Sequence, residues 1–440
     1  MLYVIIKTKN SRILPKFVIG GYVEIKRETY LNRLIERKDN GQIKVITGIR
    51  RSGKSYLLFE LYYSYLISVG VNPNNIIRIA LDIEENEELL ERKKLNEVIK
   101  SKITESNSKY YIMLDEIQLV EGFEKVLNSL NRNSNLDIYV TGSNSKFLSS
   151  DILTEFRGRG DEIRVYPLSF LEYSSAFQGD VDEAWKEYYT YGGLPLILNL
   201  KSDYAKSKYL KDLFENTYIK DVIDRNNIQR DTVLDAIIDI LASSTGSLTN
   251  PLNIANTFNS KGHKNTTDKT INLYINYLHD AFLIEKAIRY DVKGKKYIGS
   301  PYKYYFTDIG LRNARLNFRQ QDENHIMENL IYNELLIRGY NVDVGVVEVV
   351  EKDKNHQSIK KKYEIDFVCN MQSKRYYIQS AFDMPTKEKI EQEQLSLKYT
   401  NDSFKKIIIV KDKIKPWHNE NGILIIGLMD FFLNHNSLDF

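Results

Sequence analysis

The sequence predicts an α/β protein built on a parallel sheet, with a mainly helical middle and a second α/β part towards the C-terminus. Three observations carry this. Between residues 42 and 167, short apolar runs alternate with segments of helical spacing, the pattern of βαβ crossovers. The glycine-rich stretch GIRRSGKS (48–55) stands between the first such run and the first such helix. After Pro167 the apolar runs give way to helical spacing, and they return in the last hundred or so residues.

The elements follow in order. A helix is expected over RETYLNRLIERKDNG, from Arg27 to a stop at Gly41. Strands are expected at QIKVITGI (42–49), IIRIALDIE (76–84), YYIMLDE (110–116), DIYVTGS (137–143) and EIRVYP (162–167). Helices SYLLFELYYSYLISVG, LLERKKLNEVIKSKITES and FEKVLNSLNRN join the first four. Residues 1–22 show no clear periodicity and are expected to be an extension. A chain of 440 residues is too long for one core, so two or three domains are expected. The net charge of +3 leaves any affinity for nucleic acid to a local patch. A lone cysteine, Cys369, has no disulfide partner and fits a buried small apolar residue. MLYVIIKTKN lacks a basic leader and cleavage pattern, and GILIIGLMDFFL (422–433) is too short and too polar to span a bilayer. The expected location is cytoplasmic, without a membrane partner.

GIRRSGKS fits G-x4-G-K-S at a strand-to-helix junction. Gly48 and Gly53 let the backbone wrap phosphate oxygens. Ile49, Arg50, Arg51, Ser52 and Tyr56 complete the loop and helix start, where N–H groups and the helix dipole favour negative charge. Lys54 is expected to bridge the β- and γ-phosphates of ATP, and Ser55 to ligate Mg²⁺. Buried YYIMLDE delivers Asp115, a second Mg²⁺ ligand directly or through water, to the ligand-binding end of the sheet. Glu116 beside it is suited to polarise the attacking water, which implies hydrolysis. Thr141, Ser143 and Asn144 end the next strand, where a hydroxyl or amide can sense the γ-phosphate. Arg157 and Arg159 are candidates for a cation added at the transition state. If they act on a neighbour's ATP, the protein is a homo-oligomer; if they pair with Asp161 or Glu162, they are surface charges. Arg50 and Arg51 are either phosphate contacts or a solvated edge.

GIRRSGKS, YYIMLDEIQ, YVTGSNS, the GR of RGR before VYPLSFLEY, and YGGLP (191–195) occur together in this order. From about Val23 to its end the chain thereby resembles a bacterial and archaeal family of AAA-like ATPases with a winged-helix segment and a restriction-endonuclease-like C-terminal domain. The resemblance implies a P-loop sheet of order 5-1-4-3-2. It also implies Lys54 and Ser55 in the P-loop, Asp115 and Glu116 at the acidic strand end, Ser143 as sensor and Arg159 as finger. The expected divisions are 1–22, an ATPase domain over 23–170, a helical segment over 171–230, a winged helix over 231–315, and the C-terminal domain over 316–440.

In the middle, TVLDAIIDILASSTG, LNIANTFNS and TDKTINLYINYLHDAFLIEKA read as three helices followed by a hairpin, the order of a winged helix with its wing at about 291–300. The segment from Lys261 to Lys303 is rich in lysine and arginine, and Lys269, Lys293, Lys295 and Lys296 are candidates for phosphate contacts with DNA. Such modules also bind proteins, so a protein partner stands beside DNA. In the C-terminal part HIMENLIYNELLIRGY (325–340) reads as an amphipathic helix ahead of strands VDVGVV, YEIDFVCN, RYYIQSAF and KKIIIV. In the nuclease fold this resembles, a helix Glu, a strand Asp and a following Glu or Gln hold metal, and a lysine two residues on polarises the phosphate. Glu328 (or Glu334), Asp366 and Gln379 match the acidic positions, whereas Ala381 stands where the lysine belongs. Lys374 and Lys387 are nearby candidates to replace it. The expected function is Mg²⁺-dependent ATP hydrolysis coupled to a change in contacts with DNA, a protein or another subunit. An ATP-gated DNA-binding regulator and an ATP-dependent nuclease are the alternatives.

Overall fold

The computed structural model describes residues 25–143, 160–228, 232–260, 266–319, 322–352, 357–382 and 387–440, plus the backbone of a small hairpin, Val18–Ile19 with Tyr22–Val23. Five parallel strands form the first sheet: β1 (Ile43–Thr47), β2 (Ile76–Ala80), β3 (Tyr110–Asp115), β4 (Leu136–Thr141) and β5 (Gly160–Arg164). Their spatial order is β2-β3-β4-β1-β5, the expected 5-1-4-3-2 read from the other edge. Successive side chains of a strand point to opposite faces, and here both faces are apolar because helices cover both. Ile43, Val45, Ile112, Leu114, Ile138 and Val140 pack on one side against helices α2 (Arg92–Lys102) and α3 (Phe123–Leu130). Ile46, Tyr111, Met113 and Tyr139 pack on the other against α1 (Glu28–Glu36) and the helix that starts at Lys54. That last helix is α-helical over Lys54–Tyr56, π-helical over Leu57–Tyr62 and α-helical again over Tyr63–Ser68.

A helical layer follows. It comprises α4 (Phe170–Ala176), α5 (Val181–Tyr191), α6 (Asp203–Leu213) and α7 (Lys220–Asn226), the last two joined by a π-helical turn over Phe214–Ile219. Ser169 opens α4 with a reciprocal cap, accepting from the Glu172 N–H while Glu172 accepts from its own. The three helices expected in the middle are α8 (Thr232–Ser243), α9 (Pro251–Ser260) and α10 (Asp268–Asp280).

The second sheet has nine strands. They are β6 (Leu248–Thr249), β7 (Ile284–Asp291), β8 (Lys296–Phe306), β9 (Asn341–Lys352), β10 (Ser358–Met371), β11 (Lys374–Ala381), β12 (Lys405–Val410), β13 (Trp417–His418) and β14 (Leu424–Gly427). The order is β13-β14-β12-β11-β10-β9-β7-β8-β6. The hairpin β7–β8 carries the turn expected as a wing, and β7 pairs in parallel with β9 through Val344↔Arg289 to Val346↔Asp291. The sheet is therefore continuous from residue 248 to residue 427. One apolar core runs with it, from Ile49 and Leu168 of the first part to Phe432 and Leu438 near the end.

Helix α11 (Ile309–Arg315) leads into α12 (Glu323–Ile337), which corrects one expectation. The segment expected to be amphipathic is buried on every side, from Ile326 through Leu335. It lies against β8 to β11, and its Asn329 and Asn333 amides donate to the Phe306 carbonyl at 2.8 and 2.9 Å. Tyr332 stacks on Tyr305, with ring centroids 4.1 Å apart. Its polar residues are those that satisfy buried partners, so they mark no solvent face.

Candidate functional site: the P-loop and its carboxylates

Strand β1 ends at Thr47, and the loop that follows needs glycine at its first position. Gly48 has φ +134°, and a Cβ there would stand 2.0 Å from the Val165 carbonyl oxygen. The loop is held from outside its own sequence. The Arg27 guanidinium donates to the Ser52 and Tyr166 carbonyls at 3.1 and 2.7 Å, and the Tyr218 hydroxyl donates to the Arg50 carbonyl at 2.6 Å. Ile49 points into the core, while Arg51 and Tyr56 are exposed. Lys54 is buried, and its ammonium donates to the Gly48 and Ile49 carbonyls at 3.0 Å each. Burial draws its pKa down to about 8, against the opposing pull of Glu116 and Asp115.

Behind the lysine lie the carboxylates. Asp115 is buried at the end of β3 and accepts a hydrogen bond from the Thr141 hydroxyl, with the Ser55 hydroxyl near enough to favour its charged form. Burial raises its pKa, and those two hydroxyls oppose the rise. Glu116 sits in the left-handed region with φ +53°, a conformation that costs a non-glycine residue about 1–3 kcal/mol and clusters at functional sites. Its N–H donates to Thr141 Oγ1 at 3.0 Å, and its Oε2 accepts from Ser143 Oγ at 3.0 Å and from the Gln118 amide. Ser143 thus orients Glu116, and Thr141 ties the two acids together.

The residues fit a Mg²⁺–nucleotide. Ser55 and Asp115 are hard oxygen donors on neighbouring elements, the kind of set that Mg²⁺ takes alongside phosphate and water. The Ser52 hydroxyl is buried in the loop without a hydrogen-bond partner. Asn144, Arg157 and Arg159 lie outside the described residues. The acids next to them are engaged elsewhere: Asp161 with Arg37 at 3.0 Å, and Glu162 with the Thr47 hydroxyl at 2.7 Å.

Gly192 and Gly193 of YGGLP connect this site to the second sheet. Gly192 has φ +78°, and a Cβ there would meet Asp308 Oδ1 at 2.3 Å. Asp308 is fully buried at the start of α11 and accepts from the N–H groups of Gly193 and Leu311 at 2.8 and 3.1 Å. Pro195 of the same motif lies 3.9 Å from where a Gly53 Cβ would be. Burial pushes the Asp308 carboxyl up to about 6, against the backbone donors. A raised carboxyl contributes stability that is complete below its unfolded value near 4 and lost as pH climbs through its folded value. The loss expected from Asp308 between pH 4 and pH 7 is about 3 kcal/mol. Denaturant midpoints across that window should fall more steeply in the unaltered chain than in Asp308→Asn, whose side chain does not ionise.

The nuclease-like positions also converge, around a residue that sequence spacing did not single out. Lys303 of β8 is buried, with its ammonium 2.9 Å from Glu328 Oε1, 2.8 Å from Glu364 Oε1 and 3.7 Å from Asp366 Oδ1. The Tyr305 hydroxyl donates to Glu328 at 2.7 Å, the Ser380 N–H to Asp366 at 2.8 Å, and the Asp366 N–H to Gln379 Oε1 at 3.4 Å. Burial alone would lower the Lys303 pKa, but Glu328, Asp366 and Glu364 together raise it. Burial, and then Glu328, push the Asp366 carboxyl up. Among the described residues, no three or more His, Cys, Asp or Glu side chains are arranged to hold a metal ion. Glu334 is elsewhere, paired with Arg338 at 2.8 Å, and Lys374 reaches out to Asp439 at 2.9 Å. Ala381 is buried in a core cluster, so a lysine there would not reach the carboxylates without repacking. The Lys387 side chain lies outside the described residues.

The four lysines proposed for DNA contact are exposed. Lys293 also donates to the Glu348 carbonyl at 3.1 Å, so it holds the turn onto β9. Lys303, counted within the same basic segment, is withdrawn into the acidic cluster. No helix among the described residues is long and apolar enough to cross a membrane.

The family description "AAA domain" matches residues 40–174, and "Domain of unknown function (DUF8612)" matches residues 182–322. An uncharacterised protein of Haemophilus influenzae is 35% identical over 414 residues, which span 93% of this chain and 98% of that protein. An uncharacterised protein of Methanocaldococcus jannaschii is 31% identical over 380 residues, 82% of this chain and 79% of that protein. Among solved structures, AMPPCP-bound DnaA from Aquifex aeolicus is similar at 16% identity over 60% of this chain and 89% of its own, with a TM-score of 0.31. With the P-loop sheet, its loop and its paired acids in place, the chain belongs to the family of the Haemophilus and Methanocaldococcus proteins, a family of AAA-type P-loop proteins.

Proposed function

We propose that this protein binds ATP with Mg²⁺, hydrolyses it, and uses the nucleotide state to shift the loop around Gly53 and Pro195 against the second sheet. The observation that carries the proposal is the convergence on one loop of Lys54, the Ser55–Asp115 pair, and Glu116 held by Ser143. Lys54 satisfies its ammonium on the loop's own carbonyls. A triphosphate offers charged acceptors in their place, and those bonds are stronger than bonds to neutral carbonyls. Ser55 and Asp115 would hold Mg²⁺, which when bound neutralises charge on the β- and γ-phosphate oxygens. Glu116 accepts the proton of the attacking water, and Ser143 and Gln118 fix which carboxylate oxygen stays engaged. Arg159 remains the candidate for an added cation, supplied within one chain or by a second copy.

The exposed Lys269, Lys295 and Lys296 are the surface we would assign to DNA or an acidic protein partner. Lys54→Ala tests the nucleotide site. Equilibrium binding of a fluorescent ATP analogue with Mg²⁺ should be lost in that variant, by about a hundredfold or more, since charged contacts of this kind are worth about 1.5–3 kcal/mol each and are worth more when buried. Equal affinity in both proteins would refute the assignment.

A further inference from the structure

The helical layer places an arginine and a carboxylate beside Arg50 of the P-loop. Asp221, on α7, has its Oδ2 2.7 Å from Arg50 Nε of the loop and 3.3 Å from Arg225 of its own helix. The Arg50 contact is close but not aligned, for Arg50 Nε makes no hydrogen bond. One turn before Asp221, the Tyr218 hydroxyl holds the Arg50 carbonyl. The charges of both arginines are felt by the Lys54 ammonium, and Arg225 is felt in turn by Glu116. Arg50, Arg225 and Lys54 therefore lie within electrostatic reach of one another, and the arginines share a single oxygen of a half-buried aspartate.

We propose that Asp221 stands in for a terminal phosphate, gathering Arg50 and Arg225 while the site is free and yielding them to the γ-phosphate when ATP arrives. This deepens, and rests on, the ATP-binding assignment made above. The carboxylate and the phosphate compete for the same guanidinium groups, so Asp221 lowers affinity for ATP while its arginines raise it. ADP offers no γ-phosphate and gains nothing from the exchange. Release of Asp221 also removes the charged tie of α7 to the loop, leaving the Tyr218 bond, so the helical layer registers which nucleotide is bound.

The test compares fluorescent ATP and ADP analogues, with Mg²⁺, on the full chain. Asp221→Asn should tighten ATP about fivefold and leave ADP within about twofold, by removing the internal competitor. Arg225→Gln should weaken ATP about tenfold relative to ADP, and the double variant should fall between the two single variants, because Arg50 is still released from Asp221. Opposite signs for the two partners of one ion pair are what a merely structural pair would not give. Weaker ATP binding in Asp221→Asn, or an equal change for both nucleotides, overturns the proposal. In the unaltered chain, amide exchange over Phe214–Asn226 should change with ATP and not with ADP; no difference would also overturn it. If the unaltered chain and Lys54→Ala bind ATP alike, it is the ATP assignment that fails.

Discussion

Glu116→Gln should bind ATP with Mg²⁺ as the unaltered protein does and turn it over about 10²- to 10⁴-fold more slowly, the range a positioned general base supplies. Glutamine keeps the length and the hydrogen-bonding reach of the side chain, so Ser143 and the left-handed backbone at 116 have the same volume to accommodate. It cannot take a proton from water. The measurement is phosphate release under single-turnover conditions, which isolates the chemical step, together with nucleotide affinity. Turnover equal to that of the unaltered chain would remove Glu116 from the mechanism. Ser143→Ala offers a graded comparison. Gln118 still holds the carboxylate there, so a smaller loss is expected.

The second large effect is on stability. Lys303→Met removes the one cation that, among the described residues, pairs with Glu328, Glu364 and Asp366, and leaves the buried Glu328 and Asp366 carboxylates to face one another. Breaking a buried pair by removing one partner costs about 3–5 kcal/mol, because the remaining charge loses compensation without regaining water. The denaturant midpoint should fall accordingly. Adding Glu328→Gln and Asp366→Asn to Lys303→Met should restore a good part of the loss, since the group that needed neutralising has gone. An unchanged midpoint in Lys303→Met would show that the cluster is not held together by that charge.

How much of this was legible in the sequence depends on how far apart the partners lie. The strands and the P-loop residues were within reach because each is announced locally, by an apolar run ending in DE or by glycines at a fixed spacing, while the sheet order came only with the family resemblance those motifs carry. Strand β3 delivers Asp115 and Glu116 where that spacing implies. Lys303 was not legible. It stands 25 residues before Glu328 and on a strand that spacing assigned to the wing, and the β7–β9 pairing together with the packing of α12 on β8 carries it to the acids. Asp221 and Arg225 were missed for a similar reason, since neither belongs to a motif and both gain their meaning from Arg50, far away in sequence. Arg27 looked like the start of an ordinary helix. Its role comes from two carbonyls, one of them 139 residues on. The burial of α12 was obscured by its polar residues, which serve the Phe306 and Thr307 carbonyls and the Lys303 cluster.

The pairing of β7 with β9 also bears on inheritance. A module joined to its neighbour by a linker can be exchanged between genes with little repair, but a strand seated inside another module's sheet cannot. Removing residues 316–440 would strip β7 of its second partner along Arg289–Asp291, while removing the hairpin would bare the edge of β9. The two parts are thus expected to pass from ancestor to descendant as one block, with sequence drift in each constrained by the other across that row of backbone bonds and the Lys303 cluster beside it.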